Sequence, residues 1–172
     1  AEIRRDAGFR YIRFHGLLSD DMGVYRIDAQ GKEQVNFQYI DALFDYLLSI
    51  GIKPFVELGF MPNAMASGSK TIFWWRGNVT PPRDYGQWER LIEALARHWT
   101  ERYGRDEVAS WYFEVWNEPN LDGFWAGTQD EYFRLYTHAA RAIKRVDPAY
   151  RVGGPATAGA AWIPEMIAHA DK

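Results

Sequence analysis

Short apolar stretches alternate along this chain with longer segments in which apolar residues return every three or four positions. Residues 11–14, 54–58, 111–116 and 151–153 are the short stretches and read as strands. Between them, Phe37, Ile40, Phe44, Leu47 and Leu48 share one helical face behind Asn36, a residue suited to an N-cap, and Gly51 supplies the stop. Trp88, Leu91, Ile92, Leu95 and Trp99 repeat the pattern between Asp84 and Gly104. Thr128 and Glu131 have the spacing of a capping box ahead of Tyr132, Leu135, Tyr136, Ala139, Ile143 and Val146, and Pro148 limits continuation. Residues 162–170 form a last helical segment, and residues 1–8 read as the tail of another. The order β-α-β-α-β-α-β-α predicts parallel strands with helices outside.

The loops after strands, 16–35 and 59–82, are long, whereas those after helices are short. Long loops at the C-terminal ends of parallel strands mark the functional face of a (β/α) barrel. A complete barrel takes about 250 residues. Four units fill nearly all of the 172 residues here. The expectation is therefore an α/β chain whose residues 1–172 form one partial barrel domain, in preference to a smaller open sheet.

Strand alternation sorts the polar residues. Tyr11, Arg13 and His15 share one face; Phe55, Glu57 and Gly59 share another; Tyr112, Glu114, Trp116 and Glu118 a third. The opposite faces are apolar and suit packing under helices. Arg13, His15, Glu57, Glu114 and Glu118 should then converge on the barrel axis, where charges must pair or meet water. Glu57 and Glu114 lie below the strand tips and fit an internal ion-pair network that fixes register. Arg13 is nearer the mouth, and His15 is at it. Glu118 is the strongest candidate for catalysis. It sits at a tip, it points inward, Asn117 offers an amide beside it, and Pro119 ends the strand. By simple alternation Asn117 points away from the axis, so it reaches ligand only if the strand twists or bulges there.

Composition narrows the partners. Lys and Arg number 20 against 23 Asp and Glu, with no basic stripe, which argues against nucleic acid. The absence of cysteine excludes disulfides and thiol chemistry. No apolar run approaches the length of a membrane span, no signal-peptide pattern is visible, and no His, Asp and Glu set has metal spacing. Asp20 and Asp21 read either as a solvated turn or as ligands of sugar hydroxyls or a cation. Gly153-Gly154-Pro155 is a strand-end turn. Aromatic residues make up 16% of the chain. Most belong to a core, but Phe73-Trp74-Trp75, Trp88, Trp116 and Trp125 exceed what a core this size needs. Aromatic faces on loops suit sugar rings.

Trp116-Asn117-Glu118-Pro119 resembles the fourth-strand motif of the clan A retaining glycoside hydrolases. With Arg13-Phe14-His15-Gly16-Leu17-Leu18-Ser19-Asp20-Asp21 and Phe55-Val56-Glu57-Leu58-Gly59-Phe60-Met61-Pro62, the longer context is similar to glycoside hydrolase family 39, the β-xylosidases and α-L-iduronidases. The His-Gly-Leu-Leu and Gly-Phe-Met-Pro segments fit the bacterial β-xylosidase branch better. The resemblance implies strands 2–5 of a (β/α)8 TIM barrel, with strand 1, strands 6–8 and the nucleophilic Glu of strand 7 outside this chain. It implies Glu118 as general acid/base, Asn117 as donor to the sugar 2-hydroxyl, His15 as a sugar contact and Arg13 as an arginine behind the site near the nucleophile. It further implies exo cleavage of xylo-oligosaccharides with retention, two carboxylates about 5–5.5 Å apart, no cofactor and no metal, in a bacterial cytoplasm or periplasm. The alternatives are an iduronidase-like glycosidase of the same family, or a non-catalytic half-barrel with weak sugar binding. Open sheet edges would let the isolated piece self-associate.

Overall fold

A computed structural model describes residues 1–170 of the chain. In chain order it contains helix α1 (Glu2–Ala7), strand β1 (Tyr11–Arg13), strands β2 (Tyr25–Ile27) and β3 (Glu33–Val35), helix α2 (Gln38–Ser49) and strand β4 (Lys53–Leu58). Strands β5 (Thr71–Ile72) and β6 (Gly77–Asn78) follow, then helices α3 (Tyr85–Tyr103) and α4 (Arg105–Ala109), strand β7 (Tyr112–Val115), helix α5 (Gln129–Val146), strand β8 (Arg151–Gly153) and helix α6 (Ile163–Ala170). One sheet, in the order β1-β4-β7-β8, is parallel throughout. The anticipated alternation of strand and helix is present, and β1 and β8 are the sheet's edges.

Local chemistry sets the helix ends. The Asp84 carboxylate accepts from Gly86 N at 2.7 Å. The Thr128 hydroxyl accepts from Glu131 N at 3.2 Å while the Glu131 carboxylate accepts from Thr128 N at 2.7 Å, a complete capping box. Gly51 has φ 73°, the left-handed conformation that lets α2 turn into β4. Asn36 acts one residue earlier than expected. Its side chain accepts from Gln38 N, and Phe37 takes the N-cap position.

The two long loops hold antiparallel pairs that alternation did not indicate, β2 with β3 and β5 with β6. Their strands are two or three residues long, too short for a period to show. The first is closed by Asp28, whose carboxylate accepts from the backbone of Gln30 and Lys32.

Behind the sheet, α2, α3 and α5 bury the apolar faces read from their periodicity. Phe44 meets Trp99 and Trp111 at 5.5 Å each, and Trp99 stacks on Phe113 at 5.9 Å. Trp88 Nε1 donates to Leu135 O at 3.2 Å, joining α3 to α5 inside the core. Trp88, Trp116 and Trp125 are all buried, which withdraws them as sugar platforms. The loop indoles left for that role are Trp75, partly buried, and Trp74, 91% exposed on the β5–β6 turn.

Candidate active site

The inward face of the sheet is built in layers by register. At its base Tyr112 stacks on Phe55 and meets Tyr11 edge-on, both at 5.3 Å, and the Arg151 guanidinium lies 3.9 Å over the Tyr112 ring. One step up, β4 and β7 set Glu57 beside Glu114. Like charges on neighbouring strands repel, and a cation between them resolves the conflict. Arg13 supplies it from β1. Its Nε donates to Glu114 Oε2 at 2.6 Å and its Nη2 to Glu114 Oε1 at 2.5 Å, a bidentate pair. The same Nη2 lies 3.9 Å from Glu57 Oε2. The hydrogen bond to Glu114 is the main reason the guanidinium is held charged; the charges of Glu114, Glu57 and Glu118 add to it. The ion-pair network expected of Glu57 and Glu114 is present, with Arg13 as its centre.

Arg13 Nη2 also donates to Asn117 Oδ1 at 2.8 Å. Asn117 is buried and faces the charged cluster, against simple alternation. The cause lies one residue earlier. Strand β7 ends at Val115, and Trp116 has φ 69°. Trp116 was expected on the inward face with Glu114. Instead its indole is buried against Phe60 at 5.4 Å and Trp125 at 5.1 Å, and its Nε1 donates to Phe124 O at 2.7 Å. The reversal turns Asn117 inward, through a left-handed residue just past the strand's end. Glu118 is also left-handed, with φ 43°. Its N–H donates to Ala156 O at 2.9 Å and its carbonyl accepts from Leu121 N at 3.0 Å, so the backbone on both sides of the residue is fixed. Two such backbones on residues with full side chains cost about 1–3 kcal/mol each, a cost typical of functional sites. The Glu118 side chain is half-buried and takes no hydrogen bond from the described residues.

His15 follows β1, and its Nδ1 shares a short hydrogen bond with Glu57 Oε2. The ring lies parallel to Phe73 at 5.9 Å and is flanked by Phe60 at 6.0 Å and Phe124 at 6.2 Å. These three rings come from two different loops. The Gly59-Phe60 tip and the 73–75 aromatic run carried some signal; Phe124, in an irregular stretch after Pro119, carried none. Burial pushes the Glu57 carboxyl up, more than its bond to His15 pulls it down, while the same bond raises His15. The two shifts agree in sense, and the pair holds a proton that separate side chains would release.

Asp20 is a loop anchor. Its carboxylate accepts from Asn63 N at 3.0 Å and Asn63 Nδ2 at 2.8 Å. Asp21 lines a cavity of about 570 Å³ with Ser19, Asn63, Trp75 and Arg76, and neither Glu118, Asn117 nor His15 borders it. No group of His, Asp and Glu arranged to hold a metal ion exists among the described residues. The arrangement that remains is one half-buried carboxylate at a strand tip, an oriented amide beside it, and a caged imidazole on a neighbouring strand.

Comparison with known proteins places this geometry. The chain is 60% identical over 166 residues to a β-xylosidase of Caldicellulosiruptor saccharolyticus, covering 96% of the chain and 34% of that relative. The crystal structure of a monomeric β-xylosidase from Caulobacter crescentus CB15 superposes with a TM-score of 0.95 at 53% identity, over 98% of this chain and 34% of the other. An α-L-iduronidase of Mus musculus is 30% identical, over 87% of the chain and 22% of the relative. The chain thus spans about a third of the length of the β-xylosidases it matches, and its parallel sheet with outer helices is part of a (β/α)8 barrel. Residues 1–172 match the family model of glycosyl hydrolases family 39 from end to end, and the chain belongs to that family.

Proposed function

We propose that this chain supplies the acid/base half of a retaining β-xylosidase that releases xylose from the ends of xylo-oligosaccharides. The observation that carries the reading is the Arg13–Asn117 bond. A guanidinium can only donate, so the atom facing it is the amide oxygen, and the Asn117 nitrogen is left as a donor beside Glu118. That amide suits a sugar 2-hydroxyl, whose hydrogen bonds strengthen as positive charge develops at the anomeric carbon.

In the first half-reaction a carboxylate from outside these residues bonds to the anomeric carbon. The glycosidic C–O bond breaks, and Glu118 gives its proton to the departing oxygen. In the second half-reaction Glu118 removes a proton from water, the water oxygen bonds to the same carbon, and the enzyme carboxylate leaves. Two inversions give net retention. Residues 1–172 act here as one partial barrel domain, and the reaction needs no cofactor. The xylosidase relatives are far more similar to the chain than the iduronidase, which favours xylose over iduronic acid. The free edges of β1 and β8 give the isolated piece a competing fate, pairing with a second copy, which sedimentation over a concentration series would detect.

The test is Glu118→Ala in the full-length protein. The expected loss in kcat/KM, which reports the first half-reaction, is about 10²–10⁴-fold on xylobiose, and much smaller on a nitrophenyl xyloside whose leaving group departs without a proton. Equal losses on both substrates would refute Glu118 as the acid.

A further inference from the structure

Glu57 is among the most buried charged side chains of the chain, at 1% exposure, and the mechanism above gives it no task. One of its oxygens, Oε2, bonds His15 Nδ1; the other, Oε1, has no hydrogen-bond partner among the described residues. Added room is not available, since a Cβ on Gly59 would stand 3.0 Å from Oε1. A buried carboxylate with one bare oxygen is a poor device for stability. Apolar residues of the same volume often replace buried ion pairs without loss, and a bare buried acceptor calls for a reason.

The reason is visible at the other end of the imidazole. With Nδ1 taken by Glu57, the free ring nitrogen is Nε2, which has no partner among the described residues and is not among the buried unpaired atoms. It is therefore accessible, on a side chain 31% exposed. Phe73, Phe60 and Phe124 restrict the ring, so the direction in which Nε2 points is fixed by packing and by Glu57 together. A partner on one ring nitrogen sets the role of the other.

We propose that Glu57 is a positioning residue: by accepting the Nδ1 hydrogen bond it aims His15 Nε2 at a sugar hydroxyl at the mouth of the sheet, where that nitrogen accepts when the ring is neutral and donates when the ring is a cation. The inference rests on the glycosidase reading for its ligand, but not for its geometry. The charged groups that face His15 are Glu57 on β4, Arg13 on β1 and Glu114 on β7. The direct bond to Glu57 favours a positive imidazole most; burial and, less, Arg13 oppose it, and Glu114 adds a little in its favour. The cation carries a proton on each nitrogen, which is the state a double donor requires.

The first experiment uses the unaltered full-length protein with ¹⁵N-labelled histidine. Nδ1 of His15 should stay protonated throughout its titration, with Nε2 the nitrogen that loses its proton; an Nδ1 that deprotonates first overturns the proposal. The second is a cycle of Glu57→Gln, His15→Gln and the double variant, read as kcat/KM on an aryl xyloside. Glu57→Gln should lower kcat/KM about 10–100-fold, the usual cost of losing a partner behind a working histidine. The limb of the pH profile that reports His15 should move to lower pH. In the His15→Gln background the same change should cost nothing further. Additive losses, or an unmoved limb, would assign Glu57 a purely structural role. Glu57→Leu serves if the glutamine variant does not fold. If the full-length protein fails to cleave xylosides at all, the proposed function falls while the histidine titration still decides the pairing.

Discussion

The layer behind the sheet and the face in front of it solve opposite problems. Behind it, Phe44, Trp99, Trp111 and Phe113 interlock around a core in which the Trp88 indole nitrogen finds a carbonyl on the next helix. Charges there stay outside: Glu89 and Glu93 of α3 pair with Arg145 of α5, and Glu93 also with Arg97, near water. In front, carboxylates are drawn inward, Glu57 and Glu114 side by side, with Arg13 and His15 shared among them. The back derives its stability from apolar area. The front spends some of it on fixed dipoles at the mouth, where the proposed reaction, which develops charge, would need them. Stability and function are thus placed on opposite sides of the same four strands.

The strongest way to break this division is to empty the back. Trp99→Ala should cost about 3–5 kcal/mol in a denaturant titration, while the proposed preference of the folded full-length protein for xylosides stays as it was. A change in substrate preference would show that the core shapes the mouth. Arg13→Met attacks the front. It strips Glu114 of its bidentate partner and Asn117 of its orienting donor. The expected destabilisation is about 3 kcal/mol, the lower end for a broken buried pair because the arginine is partly exposed, together with a loss of kcat. If Arg13→Lys restores full activity, the forked geometry is irrelevant and the account of Asn117 fails. Thr128→Ala removes the cap of α5 and should cost about 1 kcal/mol by thermal melting with kcat unchanged.

The smallest effects are in pH, and there the two sides should differ in sign. Glu89 is held below the ordinary carboxylate range, chiefly by Arg145, and Glu93 chiefly by Arg97. Their contribution is present at neutral pH and is lost as pH falls through the lowered values. It is at most about 1 kcal/mol for such exposed pairs, and salt weakens it. His15 and Glu57 are both raised. Their contribution is fully present below the ordinary values, about 6.5 for the imidazole and 4.3 for the carboxyl. It is lost as pH rises through the folded ones. The stability gap between the unaltered protein and Arg145→Ala should therefore close on acidification, whereas the gap to Glu57→Leu should widen in favour of the unaltered protein. Parallel curves in the two comparisons would remove the contrast.

What the amino-acid order determined by itself is everything governed by near neighbours: where α3 and α5 start, through Asp84 and the Thr128–Glu131 box; how α2 ends, through Gly51; that the third parallel strand stops short of Pro119; and that Arg13, Glu57 and Glu114 share a face. Alternation is reliable while the backbone stays extended, so those assignments held as far as Val115. Beyond it they failed for Trp116 and Asn117, because the left-handed turn at Trp116 is imposed by partners distant in the chain: Phe60 against the indole, and Ala156 accepting from the Glu118 N–H. Only the tertiary structure decided that Asn117 faces Arg13, that Trp125 is core, and that Phe124 closes the cage around His15. Periodicity records which face a residue takes relative to its neighbours; it holds no record of which loops meet, and at this site the loops set the geometry.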